Sequence, residues 1–377
     1  MKKLFIFAGE ASGDLHGSQI LNTLKPTLPH LEIKGVGGPR MLAAGMPSEL
    51  PIEIFQVMGF KDVLCALPRL LKAFYTVLNT ILTWNPDTVL LIDHPGFNLR
   101  LAKKLRKKGF KGKICQYICP TIWAWKKERK HLMEENLDLL LTILPFEPLL
   151  FNQKKLPTYY VGNPLIHEKE HHTPQPLCIP KDKKLISLFP GSRKKELERN
   201  LPTQLDCALQ LQQHHKDLLF ALSLGHKEAL DYADKLIDKH YKKLRPYLFY
   251  TDRTYDLMHT TYAAIATSGT VTLELALHSV PTVITYKLPQ LDALIAKYIF
   301  KINLPYYSLV NILAQKTLFA EHIGTHLCKD TLFTSLSPLI EHKELYNQCQ
   351  NELIKIKHLL GDKKAHTEVA HHLCTSL

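Results

Sequence analysis

Short apolar runs alternate with amphipathic stretches through the first half of the chain. The apolar runs predict buried strands at residues 4–8, 32–36, 88–93, 114–118 and 139–144. Apolar residues recur at helical spacing between these runs, in a stretch that starts after Asp14 and over 63–84 and 99–108. This alternation predicts βαβ units, in which the strands run parallel.

A second series of strands follows a stretch at 167–184 that is rich in proline, histidine and charge. The predicted strands are 185–189, 218–222, 248–250, 262–266 and 282–286. Because proline disfavours regular structure, we place the domain joint in the stretch before them. The pattern predicts an α/β protein of two Rossmann-like doubly wound domains facing a central cleft, over 1–166 and 184–334. A helical tail over 335–377 could pack back on the N-terminal domain or on that of a partner.

Composition fits this picture and narrows the class of protein. The 377 residues suit two domains, and 45% hydrophobic with 22% charged residues excludes global disorder. The absence of a CxxC pair predicts reduced thiols rather than a zinc site. The apolar run at 4–8 is too short for an export signal, and no run approaches the 18 apolar residues of a spanning helix. We therefore expect a cytoplasmic protein.

The net charge of +13 lies mainly in the first half of the chain. Such a field attracts nucleic acid, an anionic membrane surface or a phosphorylated small molecule, and charge alone does not choose among them. Nucleic-acid binding would favour basic residues interleaved with exposed aromatic ones. The basic run at 100–113 contains a single aromatic residue, Phe110, so we expect no nucleic-acid partner.

Two loops of the first half follow predicted strands and carry candidate chemistry. The first contains Gly9, Glu10, Ser12, Gly13 and Asp14, which combine a sharp turn with acceptors for hydroxyl groups. A tight turn capped by its aspartate explains this loop equally well. Because the loop lacks the GxGxxG spacing, we expect no dinucleotide cofactor.

The second loop begins with Asp93 and His94, at the end of the strand 88–93. A carboxylate at the C-terminal end of a parallel strand faces the ligand crevice, where burial makes it a better general base. His94 is a competing base.

The second half offers groups that suit a nucleotide diphosphate. Gly191-Ser192-Arg193 follows a strand, and the arginine can offer a fork of donors to a phosphate. Ser268-Gly269-Thr270 opens a helix whose free N–H groups attract anions, and Glu274 lies one turn further to accept from ribose hydroxyls. Asn311 is a further polar donor. No Asp-x-Asp pair is present, so we expect no metal at this site.

Together these motifs resemble the lipid-A-disaccharide synthase family from residue 4 to about 325. The matching segments are AGEASGD at 8–14, GPRM at 38–41, VMG at 57–59, PTIWAW at 120–125, LPFE at 144–147, PGSR at 190–193 and SGT at 268–270 with Glu274. The resemblance implies an inverting, metal-independent glycosyltransferase of the GT-B type that uses no cofactor. It would transfer 2,3-diacylglucosamine from its UDP derivative to the 6-hydroxyl of 2,3-diacylglucosamine 1-phosphate, giving the β-1,6 disaccharide 1-phosphate and UDP.

The resemblance also assigns roles to single positions. It makes Asp93 the essential carboxylate and Arg193 the diphosphate contact, and it places 268–270, Glu274 and Asn311 at the donor. The chain departs from the family pattern at Gly96, where many members have a second aspartate, and at Val310, where proline is usual.

The apolar stretch 63–82 and the basic run 100–113 are open to two interpretations. The stretch is either a buried core helix or, with its basic neighbours, a patch that binds an anionic membrane surface. The second interpretation predicts peripheral attachment to the cytoplasmic face of the inner membrane. Another nucleotide-sugar transferase or epimerase of the same fold, acting on a soluble sugar, is the alternative function. The sequence leaves the oligomeric state open, a homodimer included.

Overall fold

The computed structural model describes residues 2–56, 60–123, 128–290, 304–325 and 327–377. The motif residues at 57–59 and 124–125 lie outside them, and of the segments 60–65 and 170–171 only the backbone is described. The chain divides into two compact units, residues 1–167 with 360–377, and residues 168–359.

The first unit is a parallel sheet of six strands between helices. In spatial order the strands are β2 (Glu32–Val36), β1 (Lys3–Ala8), β3 (Thr88–Ile92), β4 (Lys113–Tyr117), β5 (Leu139–Thr142) and β6 (Thr158–Tyr160). The helices are α1 (Ala11–Thr27), α2 (Pro39–Ala43), α3 (Phe60–Trp84), α4 (Pro95–Lys107), α5 (Arg129–Asn136) and α6 (Pro164–His171), the last of which crosses into the second unit. Short 3-10 helices lie at Ile52–Ile54 and Glu147–Leu150.

The second unit repeats this architecture. Its strands in spatial order are β12 (Glu321–Gly324), β11 (Thr282–Lys287), β10 (Ala263–Thr267), β7 (Lys184–Phe189), β8 (Leu218–Ser223) and β9 (Leu248–Thr251). Its helices are α7 (Lys194–His214), α8 (Lys227–His240), α9 (Thr254–Thr260), α10 (Thr270–Leu277), α11 (Leu309–Ala314), α12 (Lys329–Glu341) and α13 (Lys343–Leu360), with a 3-10 helix at Lys242–Tyr247. The two parallel sheets confirm the predicted α/β fold class.

Strand β1 shows why each sheet is covered on both faces. Its residues alternate between two cores, because successive side chains of a strand point to opposite faces. Phe5 and Phe7 pack with α3 and α4, whereas Leu4 and Ile6 pack with α1 and the last helix, α14 (Ala365–Ser376). The predicted tail over 335–377 is thus divided, since residues up to 359 belong to the second unit and α14 packs on α1 of the first.

Helix α3 has one buried apolar face and one exposed apolar face. The first agrees with a core helix, and the second is compatible with a membrane-binding patch. Val77, Leu78 and Ile81 are buried in the core of the first unit. On another face, Leu67 and Tyr75 keep 44% and 50% of their surface exposed, with Leu71 between them at 49%. Among the described residues, no helix combines the length and the apolar content needed to cross a bilayer.

The strand order places a reversal point in each sheet. In the first unit the chain moves outward from β1 to β2 and then returns to the other side of β1 at β3. In the second unit the equivalent reversal separates β7 from β10. Ligand sites of doubly wound sheets lie outside the C-terminal strand ends at such points, because the flanking loops diverge there and leave a crevice.

Candidate functional site

The reversal point of the first unit brings the Glu10 loop beside the Asp93 loop. Ala8 pairs with Ile92 across β1 and β3, so the residues that follow them emerge at the same edge of the sheet. The two acidic residues are close enough that the Glu10 charge acts on the Asp93 carboxyl. Two of the segments predicted to carry acceptor chemistry therefore meet in space.

The backbone at Asp93 and His94 adopts a conformation that few residues other than glycine take. Their φ angles are 49° and 43°, both in the left-handed region, which costs about 1–3 kcal/mol at each residue. Two buried amides hold this segment. Asn98 Nδ2 donates to the Asp93 carbonyl oxygen at 2.5 Å, and Gln116 Nε2 donates to the same oxygen at 3.0 Å. The surrounding side chains thus maintain a strained turn that orients Asp93.

The surroundings of Asp93 favour proton uptake by its carboxylate. Burial raises the pKa of Asp93, and the negative charge of Glu10 raises it further. A hydrogen bond from the backbone N–H of His94 opposes these effects, as does the positive charge of the protonated His94 ring. A carboxylate whose pKa is raised toward neutrality is a more effective general base at the pH of the cell.

The His94 ring lies beside the same carboxylates. Its Nε2 is 4.0 Å from Glu10 Oε1, and the ring packs edge-on against Phe7 and Phe97. Its Nδ1 is buried without a hydrogen-bond partner among the described residues. This placement is compatible with a role as base or as orienting partner, so both predicted roles of His94 stay open.

Asp14 differs from the other predicted residues of its loop, because the fold uses its carboxylate. It is 4% exposed and accepts hydrogen bonds from the backbone N–H groups of Gly38, Arg40 and Met41 at 2.8–3.0 Å. It thereby caps α2 and ties the first loop to residues 38–41, which follow β2. A Cβ at Gly38 would come within 2.8 Å of Asp14 Oδ2, so a side chain there would displace the Asp14 carboxylate.

The remaining loop residues divide between packing and exposure. Gly9 and Gly13 let the backbone approach neighbouring side chains, since an added Cβ would meet the Phe7 ring at 3.2 Å or Ala8 Cβ at 3.3 Å. Ser12 is exposed in the first turn of α1.

The reversal point of the second unit opens into a cavity of about 310 Å³. Most of the residues predicted to bind the donor line it. The lining consists of Phe189, Gly191, Ser192, Glu196, Ser223, Gly225, Thr254, Thr267, Ser268, Gly269, Thr270, Val271 and Glu274.

The loop after β7 shapes one wall of this cavity. Gly191 has a φ of 109°, and a Cβ on it would lie 2.7 Å from Glu196 Cβ, so glycine is required twice over. Arg193 is the N-cap residue of α7 and is not among the lining residues. Its side chain is 61% exposed and forms an ion pair with Glu196 at 3.0 Å.

The loop after β10 supplies the opposite wall. Ser268, Gly269 and Thr270 precede or begin α10, where free N–H groups and the positive end of the helix dipole favour an anion. Beside them Thr267 is 3% exposed, and its hydroxyl has no hydrogen-bond partner among the described residues. A buried hydroxyl costs free energy unless it is paired, so its place in the cavity wall points to a polar ligand.

Asn311 lies on α11, outside the cavity lining. It is fully buried, and its amide nitrogen donates to the Phe319 carbonyl and to Glu321 Oε1 at 2.7 and 2.9 Å. Its oxygen accepts from the N–H groups of Leu318 and Phe319. The side chain thus organises the turn before β12 and is not among the residues that line the cavity.

Several residues of these sites were not predicted from sequence. Ser223 ends β8 and Gly225 follows it, and the rule that ligands bind at C-terminal strand ends could have found them. Asn98 and Gln116 carried no signal in the sequence, because only the folded chain shows that both amides donate to the Asp93 carbonyl oxygen. Among the described residues, no group of three or more His, Cys, Asp or Glu side chains could hold a metal ion, and the expectation of a metal-independent site stays a prediction.

Solved structures with little sequence similarity share the fold. A glycotransferase of kitacinnamycin aligns with a TM-score of 0.63 at 12% identity, covering 100% of this chain and 99% of that one. A UDP-GlcNAc 2-epimerase from Neisseria meningitidis, solved with UDP-GlcNAc bound, aligns with a TM-score of 0.59 at 11% identity over both whole chains. These similarities confirm the predicted GT-B fold class.

Closer relatives are found by sequence. The lipid-A-disaccharide synthase of Chlamydia pneumoniae is 39% identical over 93% of this chain and 59% of its own length. The enzyme of that name from Chlamydia trachomatis serovar D is 41% identical over 85% and 53%, and that from Nitrosococcus oceani is 32% identical over 94% and 92%. The chain thus spans between half and three fifths of the length of the two chlamydial relatives.

A model of the family described as lipid-A-disaccharide synthetase matches residues 4–372. This match covers nearly the whole chain, and it agrees with the predicted resemblance and with the names of the relatives. The chain belongs to the lipid-A-disaccharide synthetase family.

Proposed function

We propose that this chain is a lipid-A-disaccharide synthase. It transfers 2,3-diacylglucosamine from UDP-2,3-diacylglucosamine to the 6-hydroxyl of 2,3-diacylglucosamine 1-phosphate, with inversion, and releases UDP. The observation that carries this proposal is the pairing of family membership with two sites at the two reversal points, one acidic and one suited to a nucleotide.

The cavity of the second unit supports a UDP-sugar donor. The backbone N–H groups of Gly269 and Thr270 at the start of α10 suit a diphosphate, and Glu274 suits the vicinal hydroxyls of a ribose. The unpaired Thr267 hydroxyl offers one further hydrogen bond to the ligand. The epimerase of the same fold that was solved with UDP-GlcNAc supports the same ligand class.

Arg193 supplies positive charge beside this cavity. Its guanidinium is exposed and pairs with Glu196, and an exposed ion pair of this kind is worth less than about 1 kcal/mol. Arg193 can therefore exchange Glu196 for the donor diphosphate at little cost. Asn311 acts in our proposal as a positioning residue for the turn before β12 and makes no contact with the donor.

The acidic site of the first unit supports base catalysis on the acceptor. In the proposed reaction the acceptor 6-hydroxyl oxygen attacks C1 of the donor sugar, and its proton passes to the Asp93 carboxylate. The bond between C1 and the UDP oxygen breaks, and the electron pair leaves with UDP. A single displacement inverts the configuration at C1, and the positive groups around the diphosphate stabilise the leaving charge.

The exposed stripe of α3 supports contact with a membrane surface. Leu67, Leu71 and Tyr75 lie four residues apart, so they form one apolar line with the exposed Arg69 and Lys72 beside it. Apolar side chains flanked by basic ones suit the boundary of an anionic bilayer, where acylated substrates would reside. We propose peripheral attachment to the cytoplasmic face of the inner membrane on this basis.

The function is tested by incubating the purified chain with both diacyl substrates and measuring UDP and disaccharide 1-phosphate. We expect equal amounts of the two products with acylated substrates and none with a deacylated acceptor. Transfer to the deacylated acceptor would favour the alternative of a soluble-sugar transferase. Formation of an epimerised UDP-sugar without acceptor would favour an epimerase.

A further inference from the structure

One phenol hydroxyl joins two carboxyl groups beside the nucleotide cavity. The Tyr255 hydroxyl on α9 lies 3.1 Å from Glu274 Oε1 on α10 and 3.3 Å from Glu168 Oε2 on α6. All three side chains are partly buried. Only Glu274 among them lines the cavity, so the other two act on a ligand only through it.

The contacts restrict how protons are distributed over the three residues. A phenol has one proton and donates it to one carboxylate at a time, while its oxygen can accept from a second group. Both contacts are hydrogen bonds only when one carboxyl is protonated and donates to the phenol oxygen. The three groups therefore titrate together rather than singly.

The Tyr255 contact also determines which Glu274 oxygen is available. Tyr255 occupies Oε1, whereas Oε2 has no hydrogen-bond partner within the described ranges. A carboxylate held at one oxygen by a neighbouring side chain loses less rotational freedom when a ligand binds the other. The geometry thus prepares Glu274 to receive hydroxyl donors from the cavity.

We propose that Tyr255 and Glu168 are positioning residues for Glu274, and that the proton shared by the three residues sets the affinity of the cavity for the ribose of a nucleoside diphosphate. This inference rests on the proposed function, in which the cavity binds UDP through Glu274. The inference adds two residues that do not touch the ligand and gives them opposite effects on the pH at which the affinity falls.

The opposite effects follow from the charges. Burial raises the pKa of Glu274, a hydrogen bond from Tyr255 lowers it, and the negative charge of Glu168 raises it. As pH falls through this raised pKa, the carboxylate becomes neutral and accepts ribose hydroxyls less strongly, so affinity falls. Removing the Tyr255 hydroxyl moves that fall to higher pH, and removing the Glu168 charge moves it to lower pH.

Other titratable groups face the same three residues. The His172 and His278 rings lie 5.5 and 5.6 Å from the Tyr255 ring, and His172 Nε2 pairs with Asp256 at 2.8 Å. Burial, together with the charges of Lys169 and His259, lowers the pKa of His278 to about 4, and the hydrogen bond to the Glu274 backbone opposes this shift. These groups are common to the wild type and to single variants of the cluster, so their contribution cancels in the comparison.

The test is calorimetric titration of the purified chain with UDP from pH 5 to 9. For Tyr255→Phe we expect affinity at neutral pH to fall about tenfold, with the midpoint of the acid loss at higher pH than in the wild type. For Glu168→Gln we expect the midpoint at lower pH and an affinity at pH 8 that changes less than about threefold. A purely packing role would weaken binding without moving either midpoint.

A second ligand separates the ribose from the phosphates, which also titrate in this range. With 2′,3′-dideoxy-UDP we expect both midpoint shifts to disappear, because the hydroxyls that Glu274 accepts from are missing. If the wild type binds UDP but the two variants show no midpoint shift, or midpoint shifts in the same direction, this inference is overturned and the proposed function stays intact. Failure of the wild type to bind UDP would overturn both.

Discussion

The side-chain nitrogen of Gln116 lies 3.0 Å from the backbone carbonyl oxygen of Asp93, and 3.2 Å from each of the carbonyl oxygens of Tyr117 and Ile118. Gln116 is fully buried on β4, next to β3, the strand that Asp93 follows. Ile118 also has a left-handed φ, of 70°. One amide thus ties together the unusual backbone after two neighbouring strands, and the position of the proposed base depends on a residue of the adjacent strand.

Gln116→Leu should destabilise the fold and lower turnover. The substitution leaves buried carbonyl oxygens with fewer donors, which costs about 1–3 kcal/mol. Gln212 is a matched control, because it is a buried glutamine whose amide has no partner among the described residues. We expect Gln212→Leu to be neutral or stabilising in urea unfolding. Equal stability losses in the two variants would mean that the Gln116 contacts contribute nothing specific.

Glu10→Gln should shift the pH dependence of the reaction. Burial is the largest cause of the raised pKa of Asp93, and the Glu10 charge raises this pKa further. Removing the Glu10 charge therefore lowers the pKa of Asp93. The base then becomes ionised at lower pH, and the acid limb of kcat/KM moves to lower pH. Glu10→Asp, which keeps the charge, should move the limb less. An unmoved limb in Glu10→Gln would show that a group other than Asp93 controls it.

Thr267→Val should separate ligand binding from stability. Its buried hydroxyl is unpaired, so we expect the free protein to be as stable as the wild type or more so, while UDP affinity falls about threefold to tenfold. Thr282→Val is the matched control, because the Thr282 hydroxyl donates to the Val280 carbonyl at 2.9 Å. That variant should lose about 1 kcal/mol of stability and bind UDP normally. Unchanged UDP affinity in Thr267→Val would remove this hydroxyl from the ligand site.

The triple substitution Leu67→Ser, Leu71→Ser and Tyr75→Ser should abolish binding to anionic vesicles. The three side chains are exposed, so the change should alter the free energy of unfolding little. Wild-type protein should cosediment with phosphatidylglycerol vesicles at low salt and less so at high salt. Leu78→Ala, on the buried face of the same helix, should instead cost about 2–5 kcal/mol and leave vesicle binding of the folded protein intact. A wild type indifferent to vesicles would contradict the proposed patch.

The strands could be predicted from sequence wherever they are buried on both faces. All ten predicted strands are present with their ends shifted by at most two residues, and most of them are continuous apolar runs, a pattern typical of buried strands. Strands β6 and β12 were missed. They have three and four residues and lie at sheet edges, where a polar sequence such as EHIG is tolerated. The start of α1 was also predicted too late, because the predicted helix begins after Asp14 whereas α1 begins at Ala11. Gly13 was assigned to a turn, but it lies inside the helix, where the missing side chain permits close approach to Ala8.

The site could be predicted less completely. Residues at C-terminal strand ends, such as Asp93 and Ser268, are found by the topology rule. The role of Asn311 could not be found, because only the folded chain shows that four hydrogen bonds occupy its amide. The same limit applies to Gln116, because one of its partners, the Asp93 carbonyl oxygen, is 23 residues away in sequence. For both residues, the hydrogen-bond partners depend on the direction in which the fold points the side chain.

The most direct test of the account compares Asp93→Asn with the wild type and with Glu135→Gln, an exposed carboxylate on α5. Both UDP release with the two diacyl substrates and calorimetric UDP affinity are measured. We expect Asp93→Asn to lower turnover by about 10²–10⁴-fold with UDP affinity within twofold of the wild type, and Glu135→Gln to change neither. Turnover near the wild-type rate in Asp93→Asn would contradict the central claim that this carboxylate takes the proton of the acceptor hydroxyl.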